Sequence, residues 1–204
     1  MSARVRTRRK ADDDDEDATK PESKISCDKN HIYFYSEIDR NTVYDLIGHI
    51  RTAEEFCVVN ALRMSLDEIP IYLHINSYGG CIHSALAAID VIQNCRVPVH
   101  SIIEGSTASA GTLISVSCDK RYISKNAYML IHQLSSSYWG KMTELEDEFK
   151  NLTDLMKHLK QIYVENTNIP KKKLAELLKH DLWLNSDTSL EYGLADELWI
   201  RTNL

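Results

Sequence analysis

Ser109 lies in Gly105-Ser106-Thr107-Ala108-Ser109-Ala110-Gly111, a run of small residues between a strand-like segment and a helix-like one. A serine at such a switch is placed to act as a nucleophile. Its small neighbours let a substrate backbone approach. The first turn of the following helix offers free backbone N–H groups and a positive dipole end for a developing oxyanion. His132 closes the apolar run Met129-Leu130-Ile131-His132, which sets an imidazole at a sheet edge. Asp181 precedes an apolar patch in His180-Asp181-Leu182-Trp183-Leu184. Each residue alone is also what an ordinary helix start, strand end or turn contains, so residue type leaves all three open. The α/β-hydrolase elbow is excluded. That motif needs Gly two residues before the serine, where Thr107 stands, and its partners run serine, acid, histidine.

The elements that must position these residues alternate. Ile71–Ile75 reads as a short buried strand and ends at the turn cluster Asn76-Ser77-Tyr78-Gly79-Gly80. Ile82–Cys95 has helical spacing. Val99–Ile103 reads as a second strand ending at Gly105, Ser109 to about Ser117 as a helix, and Tyr128–Gln133 as a third strand. Strand–helix–strand alternation predicts an α/β fold with a largely parallel sheet. Lys141–Asn166 predicts a long amphipathic helix, about 39 Å at 1.5 Å per residue, longer than a domain of this size needs internally. It either packs on the core or projects towards a second subunit. Pro170 begins a short helix reaching about His180, and Ser186 reads as the N-cap of a last short helix before Gly193.

The chain has 204 residues, 43% hydrophobic and 26% charged, which suits one soluble domain with a tail. Residues 1–24 form that tail. A basic cluster from Arg4 to Lys10 is followed by six consecutive acids from Asp12 to Asp17, with too little apolar surface to offset the entropy of ordering. The domain spans 25–204. A formal net charge of −6 argues against a phosphate-tracking surface, and hence against nucleic acid as a partner. The apolar runs fall short of the roughly 20 residues a membrane span needs, and no apolar leader opens the chain. Five singly placed cysteines without a C-x-x-C pair disfavour a zinc ribbon or thioredoxin-type site and predict a reducing, cytoplasmic compartment.

Taken together, four stretches resemble the ClpP family, the proteolytic subunits of ATP-dependent Clp proteases. INSYGG at Ile75–Gly80 is similar to the family's glycine-rich turn, and GSTASAG at Gly105–Gly111 to its nucleophile segment. MLIHQ at Met129–Gln133 resembles the histidine segment, and DLWLNSDTSLEYGLAD at Asp181–Asp196 the acid segment with its closing signature. The resemblance covers about Ile32 to Trp199. It implies a ClpP/crotonase-like fold with the 141–166 helix as a projecting handle. It also implies serine endopeptidase chemistry, with Ser109 as nucleophile, His132 as general base and Asp181 orienting the imidazole. The oxyanion hole would be the backbone N–H groups of Gly80 and Ala110. The family further implies two stacked seven-membered rings and an AAA+ Clp-type unfoldase that feeds unfolded polypeptide and uses the ATP. This chain has no Walker motif and needs no cofactor of its own. The unfoldase would dock near Tyr72, His74, Tyr122 and Trp199.

The pattern departs from the family at Tyr78, where Pro is usual, and at His74, where an aromatic is usual. It departs also in the Ser135–Gly140 loop, at Ser189 in place of a capping Glu, and in the N-terminal segment. Such drift fits a distant member, of viral or plastid type, in a host cytoplasm or an organelle stroma. Three other readings remain beside the Clp-type peptidase: an ATP-independent phage-type maturation protease of the same fold, a non-proteolytic ring subunit, and a crotonase-type acyl-CoA enzyme. The last typically uses carboxylates where Ser and His stand here.

Overall fold

A computed structural model describes residues 24–200. The charged tail therefore lies outside the described residues, except that Lys24 opens the first strand. Strands β1 (Lys24–Asp28) and β2 (His31–Tyr35) pair antiparallel. Helix α1 (Arg40–Met64) leads to β3 (Ile71–Ser77), α2 (Ile82–Gln93), β4 (Val99–Ala108), α3 (Ala110–Val116), β5 (Lys120–Ile123) and β6 (Tyr128–Leu130). The chain continues through α4 (Met142–Asn166), α5 (Lys171–Leu177), β7 (Trp183–Asn185), α6 (Ser186–Glu191) and β8 (Glu197–Leu198). The sheet runs β1-β2-β3-β4-β5-β8, with β6 branching from β4 and β7 pairing β6. Every pairing is parallel except β1–β2 and β6–β7. This is the largely parallel α/β sheet expected from the alternating pattern.

Period-two alternation sorts the strands into two faces. Ile32, Phe34, Ile71, Leu73, Ile75, Val99 and Ile103 are buried in the core. Each such side chain, fully buried, contributes about 1.5–3 kcal/mol relative to exposure. The opposite face carries His31, Tyr33 and Tyr35 of β2, Tyr72 and His74 of β3, His100 of β4 and Tyr122 of β5. α1 packs its stripe Val43, Leu46, Ile50, Ala53, Cys57 and Ala61 inward. Its start is fixed by a capping box in which Asp39 accepts from the Asn41 and Thr42 backbone N–H groups. All five cysteines are unpaired. No helix among the described residues is long and apolar enough to cross a membrane.

The structure corrects several boundaries. β4 does not stop at Gly105 but runs on to Ala108. Gly105 (φ +65) absorbs an irregularity, so that Ile75 faces Ile103 while Ser77 faces Thr107. The strand expected over 128–133 closes at Leu130, and His132 lies in the irregular segment beyond it. The last short helix is capped by Asn185, whose side chain accepts from the Thr188 N–H. Ser186 instead donates its hydroxyl to the Lys125 carbonyl at 2.9 Å. α4 buries only its C-terminal half, through Leu159, Ile162 and Tyr163, while Met142 and Phe149 are 69% and 75% exposed. The helix projects, as the second reading of its length had it.

Candidate active site

Two strand registers assemble the site. In the parallel β3–β4 pair Ser77 faces Thr107. Continuing that register two residues sets Gly79 against Ser109. The approach is close: a Cβ at Gly79 would lie 2.7 Å from Ser109 Cβ and 3.1 Å from the Ala110 nitrogen. In the antiparallel β6–β7 pair Leu130 faces Trp183. Continuing that register two residues sets His132 opposite Asp181, and the His132 Nδ1 lies 3.2 Å from the Asp181 carboxylate. A bond from the Gln133 N–H to the Leu178 carbonyl (2.8 Å) holds the histidine segment against the end of α5, just before the acid.

Ser109 connects the two halves. Its N–H donates to the Leu130 carbonyl at 2.9 Å, and its own carbonyl accepts from the Thr112 N–H (3.0 Å) and hydroxyl (2.7 Å). So pinned, it adopts φ 54, ψ −124, a conformation that costs a non-glycine residue on the order of 1–3 kcal/mol. The strain turns the side chain out of the strand path at the start of α3. Thr112 is held in turn by the Tyr163 hydroxyl of α4 at 2.6 Å, and burial pushes that phenol's pKa upward.

The glycine turn is latched from the other side by Ile38. The Ile38 N–H donates to the Gly79 carbonyl (2.8 Å), and the Ile38 carbonyl accepts from the Cys81 N–H (2.7 Å). A Cβ at Gly80 would come within 2.2 Å of the Ile38 carbonyl oxygen. Both glycines have positive φ, +97 at Gly79 and +140 at Gly80. Gly80, Ser109 and His132 line two adjoining cavities. One, of about 60 Å³, is walled by apolar residues including Ile82, Leu113 and Met156. The other, of about 550 Å³, opens along Tyr35, Glu37 and Tyr78. Asp181 stands at the edge, its side chain 78% exposed against 26% for His132. Ala110 opens α3, so its N–H belongs to a first turn without intrahelical partners. Of the five residues singled out for chemistry, Gly80, Ser109 and His132 line one cleft, Asp181 contacts the imidazole at its edge, and Ala110 follows Ser109 at the start of α3. Ile38, Leu130 and Thr112 were missed. The first two act through backbone atoms, which leave no residue-type signal.

The four residues expected at a docking cleft also converge, on the sheet face away from the core. Trp199 packs on Tyr72 (5.6 Å between ring centroids), Tyr122 (5.2 Å) and His74 (6.2 Å). His74 is only 4% exposed, so it forms the floor of this face and not its surface. It lies 3.0 Å from the His31 ring nitrogen and 3.1 Å from the Glu104 carboxylate. Tyr35 donates its hydroxyl to the same carboxylate. The His74 imidazole and the Tyr35 hydroxyl together hold the Glu104 carboxyl below its usual range, against the opposing effect of burial.

A family model described as Clp protease matches residues 23–202. The chain belongs to the Clp protease family. The four motifs pointed to this same family. Among curated proteins, the ATP-dependent Clp protease proteolytic subunit 2 of Treponema denticola is 35% identical over 131 residues. That match takes in 63% of this chain and 66% of the relative, just under two thirds of its length. The Clp protease match covers all of the elements that build the cleft, from β1 to β8.

Proposed function

We propose that the chain is a serine endopeptidase that cleaves unfolded polypeptide inside a ring assembly. The observation that carries this reading is the convergence of Ser109, His132 and Gly80 on one cleft, with Asp181 in contact with the imidazole. Ser109 Oγ attacks the scissile carbonyl while His132 takes its proton. Asp181 orients the ring and stabilises the imidazolium that forms. The oxyanion is held by the backbone N–H groups of Gly80 and Ala110. His132 then protonates the leaving amine, and water repeats the cycle on the acyl-enzyme. The small cavity, lined by Ile82, Leu113 and Met156 together with Gln133 and Ser135, takes a side chain of the substrate next to the scissile bond.

An acid as open to water as Asp181 interacts weakly with its partner. Assembly and bound substrate exclude water and strengthen the pair. The exposed half of α4, with Met142, Leu145 and Phe149, supports the reading that rings of seven stack through this helix. An AAA+ unfoldase docks on the Tyr72–Trp199 face, spends the ATP and threads the substrate; the chain itself uses no cofactor and works in the cytoplasm. Ser109→Ala is expected to abolish cleavage of peptides and of unfolded proteins, while sedimentation shows the same large particle as the parent. Turnover at the parent rate, or a monomeric parent at micromolar concentration, would contradict the proposal.

A further inference from the structure

The larger cavity beside Ser109 has an electrostatic character that the peptidase chemistry does not use. Its walls carry Tyr35, Glu37 and Tyr78 along with Gly80, Ser109 and His132, and no lysine or arginine. The Glu37 side chain makes no hydrogen bond or ion pair among the described residues; only its backbone carbonyl is engaged, by the Thr42 hydroxyl. Both Glu37 and Tyr78 are exposed, Tyr78 by 74%. Tyr78 stacks edge to face on Trp183 at 6.2 Å, which steadies its ring at the rim of the cleft. The nearby cation Arg40 lines a different cavity with Cys81 and His83.

The backbone of Glu37 is also fixed relative to the reacting centre. Glu37 directly precedes Ile38, whose N–H and carbonyl are bonded to the glycine turn on either side of Gly80. Any shift of Glu37 along the chain would break the latch that shapes the turn. An unpaired carboxylate that shares a cavity wall with two aromatic side chains is a receptor for a cation. The carboxylate supplies charge and the ring faces supply quadrupole attraction.

We infer that Glu37, with Tyr35 and Tyr78, forms a subsite for an arginine or lysine side chain of the substrate near the scissile bond. The inference rests on the peptidase reading of the same cleft. Glu37 is a specificity-determining residue here, one that touches the substrate away from the reacting atoms.

The test uses internally quenched alanine-rich peptides in which a single Arg, Gln or Glu is moved through the positions flanking the cleavage point. Cleavage sites are mapped by mass spectrometry. The parent is expected to favour Arg over Glu at one position by about fivefold or more in kcat/KM, as an ion pair with an aromatic contribution would give. The preference should fall as salt is raised. Glu37→Gln should bring the ratio close to one, and Glu37→Lys should reverse it. A parent ratio near one at every position overturns the subsite while leaving the peptidase reading intact. So does a ratio that Glu37→Gln does not move. A parent that cleaves none of the peptides overturns the peptidase reading, and the subsite with it.

Discussion

At Gly80 one methyl group would break the turn that the proposed mechanism uses for its oxyanion. Its Cβ would meet the Ile38 carbonyl oxygen at 2.2 Å, a backbone atom that cannot swing aside, and φ is +140. Gly80→Ala is therefore expected to push the turn off its latch and misplace the N–H aimed at the oxyanion. Loss of one such donor costs about 10²–10³ in kcat. Gly48, in the middle of α1, meets nothing within 4 Å. Gly48→Ala should leave kcat unchanged and stabilise the fold by about 0.5–1 kcal/mol. Steady-state kinetics with thermal melts on both variants decide the point, and a Gly80→Ala enzyme within a few-fold of the parent would contradict it. At this scale the sequence was legible where chemistry needs a residue type. Ser109, His132 and Asp181 are such cases: their types marked them as candidates, and the fold brings them near one another. It was silent where chemistry needs only a backbone atom, as at Ile38 and Leu130. The strain at Ser109 was equally hidden, because φ 54 follows from contacts made by Leu130 and Thr112, not from the serine itself.

Elements act through their registers. The closing signature 191–196 shows how. Gly193 takes φ +66, and Asp196 then folds back on β5, accepting from the Arg121 backbone N–H at 2.8 Å and from its guanidinium. The same guanidinium reaches the Asn166 carbonyl at the end of α4. One arginine thus ties together β5, the C-terminus of α4 and the approach to β8. Burial alone would raise the Asp196 carboxyl. The side-chain and backbone hydrogen bonds from Arg121 outweigh it and hold the carboxyl below its usual range. A lowered carboxyl means that the unfolded chain binds the proton more readily, so the stability from this clasp is present above the unfolded pKa of about 3.9 and is lost as pH falls through the lowered folded value. Asp196→Asn should cost about 1.5–3 kcal/mol near neutrality. The gap from the parent should close in acid, and melts across pH that show a constant gap would contradict this.

The sequence read β3 correctly because its apolar run is unmistakable. It missed β5, whose Lys120-Arg121-Tyr122-Ile123 is short and half polar, and β7, only three residues long. Such strands are made by the neighbours they pair with. The loss matters, since the β6–β7 register is what sets His132 opposite Asp181.

For the whole molecule, the folded core and the exposed surfaces point in different directions. The core is complete, with the inner sheet face covered by helices. The outer sheet face and the N-terminal half of α4 still carry aromatic and apolar side chains in the open. The length of α4 was legible from its periodicity. Its projection was not, because an amphipathic stripe looks the same whether a core or a second subunit covers it. On the proposed assembly, rings of this chain would cover the exposed half of α4 and shield the exposed acid, while the outer sheet face would be left for the unfoldase. The central claim nevertheless stands on one atom, Ser109 Oγ. The purified protein treated with a fluorophosphonate probe, digested and mapped by mass spectrometry tests it directly. The account predicts a single modified site at Ser109, lost in the His132→Ala variant. An assembled particle that takes up no probe, or takes it up at another serine, would contradict it.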